Sequence, residues 1–155
     1  MILAKKKDTS KGPAEFESPC LVLHLRMTAR AITRLYNRVI SITGIEMGEF
    51  ALLVAVKTHP NKSITELARM LSFERTTMVR NSKNLAKRGF IVPQAGTGRA
   101  VHYKLTKLGL KKYKESLPFW SEIQNAVEGS LRTRNGDELR SILKDVRNVI
   151  HNHTS

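Results

Sequence analysis

The residues best placed to do chemistry in this chain are cations and amides, and they cluster between Ser63 and Arg99. Arg75, Thr76, Thr77, Arg80, Asn81, Asn84 and Lys87 share one stretch, RTTMVRNSKNLAK. An arginine fork can pair with the guanine edge and an asparagine amide with adenine, while lysine and arginine also meet phosphates. Just upstream, Ser63 opens SITELARML and has Glu66 three residues on, the spacing of a capping box. Ser63 and Thr65 offer hydroxyls and amides to a backbone phosphate at the start of that segment, although capping is the favoured role of Ser63. Downstream, Arg99 follows AGTG. A cation at a glycine-flanked hairpin tip can enter a narrow minor groove, and a mobile exposed loop is the alternative.

These residues need elements to hold them. SITELARML and RTTMVRNSKNLAKRG read as two short helices separated by a tight break, SFE, with Phe73 plugging the turn. The second faces inward with Met78, Val79 and Leu85, joined by Ser82 or Ala86, and outward with Arg75, Thr76, Thr77, Arg80, Asn81, Lys83, Asn84 and Lys87. Gly89 suits the left-handed stop of that helix. Phe90–Val92 and the alternating Val101, Tyr103 and Leu105 predict a hairpin. Two short helices with a basic outer face, followed by a hairpin, form the geometry that presents a helix to a major groove: a winged helix-turn-helix.

The flanks are helical. Leu25, Ala29, Ile32, Leu35, Tyr36, Val39 and Ile42 recur at three and four, predicting a first helix over about 19–42, capped by Ser18 with Pro19 in its first turn. A buried second helix is expected from about Glu46 to Thr58, closed by His59, Pro60 and Asn61. From Thr106 a long helix runs past Pro118 to about Val127, and Asn135–Gly136 separates it from a last helix beginning near Asp137. The fold class expected is mainly α with a small β-hairpin wing. Residues 1–17 read as a flexible basic arm before a single domain, 18–155, with the winged helix-turn-helix at about 46–105.

Bulk properties narrow the partner. With 155 residues and 41% hydrophobic content, the chain can bury one ordinary core. A net charge of +14 points to a polyanion, a property shared by nucleoid and ribosome-associated proteins. MILA before KKK is too short for a secretory core, and no apolar run reaches the roughly 20 residues of a membrane span, so a cytoplasmic protein without a membrane partner is expected. One cysteine, Cys20, excludes an internal disulfide framework.

The order of helix, helix, ELARML, ERTTMVRNSKNLAKRGFI, GRAVHYKLTKLG and long helices resembles MarR-type transcriptional regulators over almost the whole chain. The resemblance implies a homodimer whose dimerisation helices are about 19–42 and 106–152. It also implies a DNA-binding repressor, less often an activator, tuned by a small molecule or by oxidation. Two departures stand out: Gly96–Thr97–Gly98 precede Arg99 where this family often has an acidic residue, and Asn81 and Ser82 replace aliphatics, so a narrower packing face or a wider polar face is expected.

Other readings compete with this one. Cys20, placed in a first turn by a Ser18 cap, would favour thiolate and oxidant sensing. Glu15 and Glu17 oppose that, the cysteine is shifted from its position in peroxide-sensing relatives, and an inert, partly buried thiol is preferred. Tyr36, Phe50, Tyr113 and Trp120 are expected to converge between the first two helices and the fifth, first as core and second as the lining for a small apolar effector. Arg26, Arg30, Arg34 and Arg38 lie four apart on the first helix and read as a solvated face with one arginine available to an intersubunit ion pair, ahead of a second polyanion surface. The five histidines are dispersed, no phosphate loop or nucleophile elbow is present, and neither an enzyme, a metal nor a cofactor is expected. The main rival to a sequence-specific regulator of double-stranded DNA is a nonspecific nucleoid or RNA-binding protein. Polar, asymmetrically placed Arg, Thr and Asn at the start of the second of the two short helices, the lack of aromatic stacking residues in that stretch, and a wing weigh against that rival.

Overall fold

A computed structural model describes residues 19–94, 100–131 and 135–153. The expected arm at 1–17, the Ser18 cap and the wing-tip Arg99 lie outside the described residues. The order of elements is α1 (Leu21–Ile40), a 3-10 turn (Ser41–Thr43), α2 (Met47–Thr58), α3 (Ile64–Met70), α4 (Arg75–Lys87), β1 (Ile91–Gln94), β2 (His102–Leu105), α5 (Lys107–Gly129) and α6 (Gly136–His153). The expected class, mainly helical with a two-stranded hairpin, is therefore observed.

The core belongs to the middle of the chain. Phe50, Leu52, Leu53 and Val56 of α2, Leu67 of α3, Met78 and Leu85 of α4, and Ile91 of β1 pack together almost without exposure. Because α2 is apolar nearly all round, it can contact α4 and α3 on one side and α5 on the other. α1 packs chiefly along α5, where the Tyr36 hydroxyl donates to Gln124 Oε1.

Local chemistry fixes the corners. The Ser63 hydroxyl accepts from the Glu66 N–H, and the Glu66 carboxylate accepts from the Ser63 N–H at 2.8 Å, the capping box expected from the sequence. Thr106 caps α5 by accepting from Gly109 N–H, and its hydroxyl donates to the Gly89 carbonyl at 2.6 Å. Gly109 is required at that crossing, since a Cβ there would stand 1.8 Å from the Phe90 carbonyl oxygen. Pro118 lies inside α5 and removes one ladder bond without ending the helix.

The hairpin pairs Ile91 with Leu105 and Gln94 with His102, and the Ile64 N–H donates to the Val101 carbonyl at 3.0 Å, fastening the hairpin to the start of α3.

The first helix departs from expectation at its start. Cys20, not Ser18, is the N-cap residue, Pro19 precedes the helix, and the Cys20 carbonyl accepts from Leu23 and His24. The thiol is thus not inside a first turn, and it is exposed rather than partly buried.

Candidate nucleic-acid interface

α4 is positioned by its buried side. Its inward residues step by three and four along one face: Met78, Asn81 with Ser82, and Leu85. Before it, Leu71 ends α3, Ser72 takes a left-handed φ of 54°, and the Phe73 N–H donates to the Ala68 carbonyl at 2.9 Å, a tight turn that sends α4 across α3. Phe73 is half-buried in that turn, as expected.

The exposed side of α4 carries Arg75, Thr76, Arg80, Lys83, Asn84 and Lys87, with Thr77 half-buried, and no acidic residue lies within the helix. One shallow cleft is lined by Arg75, Thr76, Val79, Arg80, Lys83 and Asn84. A second lies between α3, α4 and the hairpin and brings Ser63 and Thr65 to Arg75 and Lys83. The structure therefore gathers Thr65, Arg75, Thr76, Arg80 and Asn84 on one surface, as the spacing predicted. Ser63 is at its edge, buried, with its hydroxyl engaged by Glu66.

Asn81 requires a correction. It was expected to point outward and read a base; it is 5% exposed and faces α2. Three residues after Met78 and four before Leu85, it belongs to the packing face, and Gly48 leaves room for its amide: a Cβ on Gly48 would lie 2.9 Å from Asn81 Nδ2. Ser82 is buried too and donates to the Val79 carbonyl. The packing face is accordingly no narrower than aliphatics would make it; two polar residues occupy it.

Lys83 lines both clefts, yet it entered the sequence reading only as an outward residue. Its signal was the same outward phase as Arg80 and Lys87. Arg88, next to the predicted set, does something else: it donates to the Gly44 carbonyl at 2.7 Å, lies 3.6 Å from the buried Glu49 carboxylate and covers the Phe90 ring, bolting the end of α4 to the start of α2.

The electrostatics at the start of α3 have one resolved feature. The Glu66 carboxyl is held below its ordinary value, first by the Ser63 N–H and then by the Ser63 hydroxyl, with Lys62 a smaller influence.

Residues 45–96 match the MarR family model. The match covers α2, α3, α4 and β1, the segment that positions the cationic surface, and the MarR-type resemblance read from the sequence holds there. Solved structures extend the MarR-type fold to the long helices. The M. tuberculosis transcriptional regulator MosR in complex with DNA is 23% identical, with 85% of this chain and 96% of that chain covered at a TM-score of 0.74. The S. aureus MepR–DNA complex is 13% identical, covers 84% and 96%, and has a TM-score of 0.72. Bordetella bronchiseptica BpsR, solved in a study of how 6-hydroxynicotinic acid regulates its DNA binding, is 21% identical, covers 89% and 97%, and has a TM-score of 0.72. No curated protein matches the chain by sequence.

The expected effector lining is partly assembled in this MarR-type frame. Phe50, Tyr113 and Trp120 do converge, on an apolar cavity of about 380 Å³ that also involves Met47, Val54 and Leu117. Its walls come from α2, the end of α3 and α5, not from α1. Tyr36 lies outside it, buried against α5; burial, and then the nearby Glu128 charge, raise its phenol above the usual value. Among the described residues no three His, Cys, Asp or Glu side chains are grouped to hold a metal ion, and no single helix is long and apolar enough to cross a membrane.

Proposed function

We propose that this chain is a sequence-specific, double-stranded DNA-binding transcriptional regulator that acts in the cytoplasm as a homodimer on an inverted-repeat operator, as a repressor. The observation that carries the proposal is α4: an exposed row of Arg75, Thr76, Arg80, Lys83, Asn84 and Lys87, free of acidic residues, on a helix anchored by Met78 and Leu85. Arg75, Thr76, Thr77 and Arg80 occupy its first two turns and read base edges, while Thr65, Asn84 and Lys87 meet phosphates and Arg99 enters the minor groove. Ser63, its N–H and hydroxyl engaged by Glu66, supports the phosphate contact only by capping α3 and so placing Thr65. MosR and MepR, both solved on DNA, share the fold and so support this reading.

Two further features fit it. α1 and α6 expose Leu21, Val22, Ile32, Ile142 and Val149, an apolar surface for a second copy. The cavity walled by Phe50, Tyr113 and Trp120 lies between α2 of the DNA-facing lobe and α5, so a small apolar ligand there would bind best at one α2–α5 spacing and bias the lobe toward it. BpsR, whose DNA binding responds to 6-hydroxynicotinic acid, lends support to such an effector.

Selection from random duplexes at near-physiological salt tests the proposal. The expected result is an inverted repeat with half-sites about one helical turn apart, bound roughly 10³-fold or more above a scrambled duplex. Uniform affinity for every duplex would overturn it.

A further inference from the structure

Several cations of this molecule are matched by neighbouring acids. Lys111 and Lys112 reach Glu115 on α5, Arg140 of α6 pairs with Asp137 and Glu128, and Lys62 lies 3.7 Å from Glu66. Two of the described α-helices contain no Asp or Glu at all: α4, whose cations are assigned to DNA above, and α1.

On α1, Arg26, Arg30, Arg34 and Arg38 are all exposed, and among the described residues none of them forms an ion pair. Four-residue steps put successive arginines about 6 Å apart along the axis and turn the row by about 40° each time, with its midline about half a turn round from the apolar Ile32. Like charges at this spacing repel one another and weaken the isolated helix, an arrangement that an anion laid along the row would reverse.

We propose that the row Arg26–Arg30–Arg34–Arg38 is a second surface for the phosphate backbone of duplex DNA, independent of sequence and separate from α4. A rod carrying one negative charge per about 1.7 Å of axis can meet several arginines along such a track at once. Guanidinium forks suit phosphate in particular. An anionic membrane fits less well, because a helix lying in a membrane interface inserts a continuous apolar stripe flanked by its cations, whereas the apolar Val22, Leu23 and Met27 adjoin only Arg26 and Arg30, and Ile32 and the buried Tyr36 and Ile40 point elsewhere. The inference goes beyond operator reading and does not depend on α4 recognising any sequence.

The test is the salt dependence of affinity for an operator-free duplex, measured by fluorescence anisotropy on the full chain. The proteins compared are wild type, the quadruple variant R26Q/R30Q/R34Q/R38Q and the double variant R75Q/R80Q. Each lost phosphate contact lowers the slope of log affinity against log salt by about 0.9, so the quadruple variant is expected to shallow the slope by up to about 3.6. R75Q/R80Q is expected to keep that part of the slope while losing preference for an operator. The paired variants R26Q/R30Q and R34Q/R38Q should each remove about half of the effect, which guards against a quadruple variant that does not fold.

An unchanged slope and affinity in the arginine variants overturns the proposal and leaves operator binding through α4 standing. Loss of the dimer in sedimentation for each of them assigns the row to a second copy and also overturns it. So does wild-type binding to phosphatidylglycerol vesicles that the arginine variants lose while their duplex affinity is unchanged.

Discussion

The core built on α2, α3, α4 and β1 closes within one chain, whereas α1 and α6 leave large apolar residues uncovered. Phe50, Leu52, Leu53, Leu67, Met78, Leu85 and Ile91 are at most 1% exposed, whereas Leu21 is 59%, Ile142 53% and Val149 56% exposed. α6 also packs on no other element as fully as α1 packs on α5. The geometry of the cationic helix is thus set by contacts inside the chain, while the exposed apolar residues of α1 and α6 are the ones a second copy would cover on the function proposed. That contrast makes the lobe around this core a reader and the layer of α1 and α6, on the function proposed, the device that spaces two readers.

The largest expected effect breaks the comparison on the side of the layer. Ile142→Asp with Val149→Asp places two charges on the exposed apolar face of α6, away from the closed core. The pair should convert the protein to a monomer at micromolar concentration in analytical ultracentrifugation and lower affinity for the selected operator by about 10²–10⁴-fold, the advantage of linking two binding events. The lobe should melt much as before. A dimer that survives both charges would mean that α6 is not part of the interface.

The opposite substitution lies in the lobe. Leu85 of α4 is fully buried among Met78, Ile91 and the α2 side chains, so Leu85→Ala should cost about 2–5 kcal/mol of stability by chemical denaturation, without a change in oligomeric state below the transition. A loss under about 1 kcal/mol would mean that the lobe core is less complete than its burial indicates.

Much of this was legible in the sequence because the signals were local. The Ser63–Glu66 spacing announced the capping box, Thr106 the start of the long helix, and the three-and-four recurrence of apolar residues the first helix. The candidate surface was legible for the same reason: the outward phase of Arg75, Arg80 and Asn84 follows from helix geometry. What was not legible depended on contacts between distant segments. Asn81 reads as a base contact by residue type, and only Gly48, far off on α2, reveals a space that accommodates a buried amide. Tyr36 was grouped with the cavity aromatics by type as well, yet Gln124 on α5 holds it elsewhere. Arg88 resembles its cationic neighbours until the Gly44 carbonyl and Glu49 are seen beside it.

Two adjacent residues of α4 sharpen the boundary between reading and packing. Arg80→Ala should weaken binding to the selected operator by about 1–3 kcal/mol, tenfold to somewhat over a hundredfold, and relax preference at one base position per half-site in a repeated selection. Asn81→Ala should leave the selected sequence unchanged and instead lower thermal stability, by about 1–3 kcal/mol, since it strips a buried amide from the α2–α4 contact. If Asn81→Ala altered the preferred base while Arg80→Ala did not, the assignment of the two faces of α4 would be reversed.

The smallest expected effect concerns the start of α3, where Thr65 is exposed beside the capped Ser63. The Glu66 carboxyl is depressed below its ordinary 4.5, chiefly by the Ser63 N–H and then the Ser63 hydroxyl, so its charged form is the one the fold favours. A depressed acid contributes stability that is present above the unfolded value and lost as pH falls through the folded value. Wild type should therefore melt slightly above Glu66→Gln at pH 7, and the gap should close as the pH is lowered through and below the ordinary glutamate range. Glutamine keeps an acceptor for the Ser63 N–H, so the difference isolates the charge from the hydrogen bond. A gap of the same size at pH 7 and pH 3 would show that the shape of the side chain, not its ionisation, caps the start of α3.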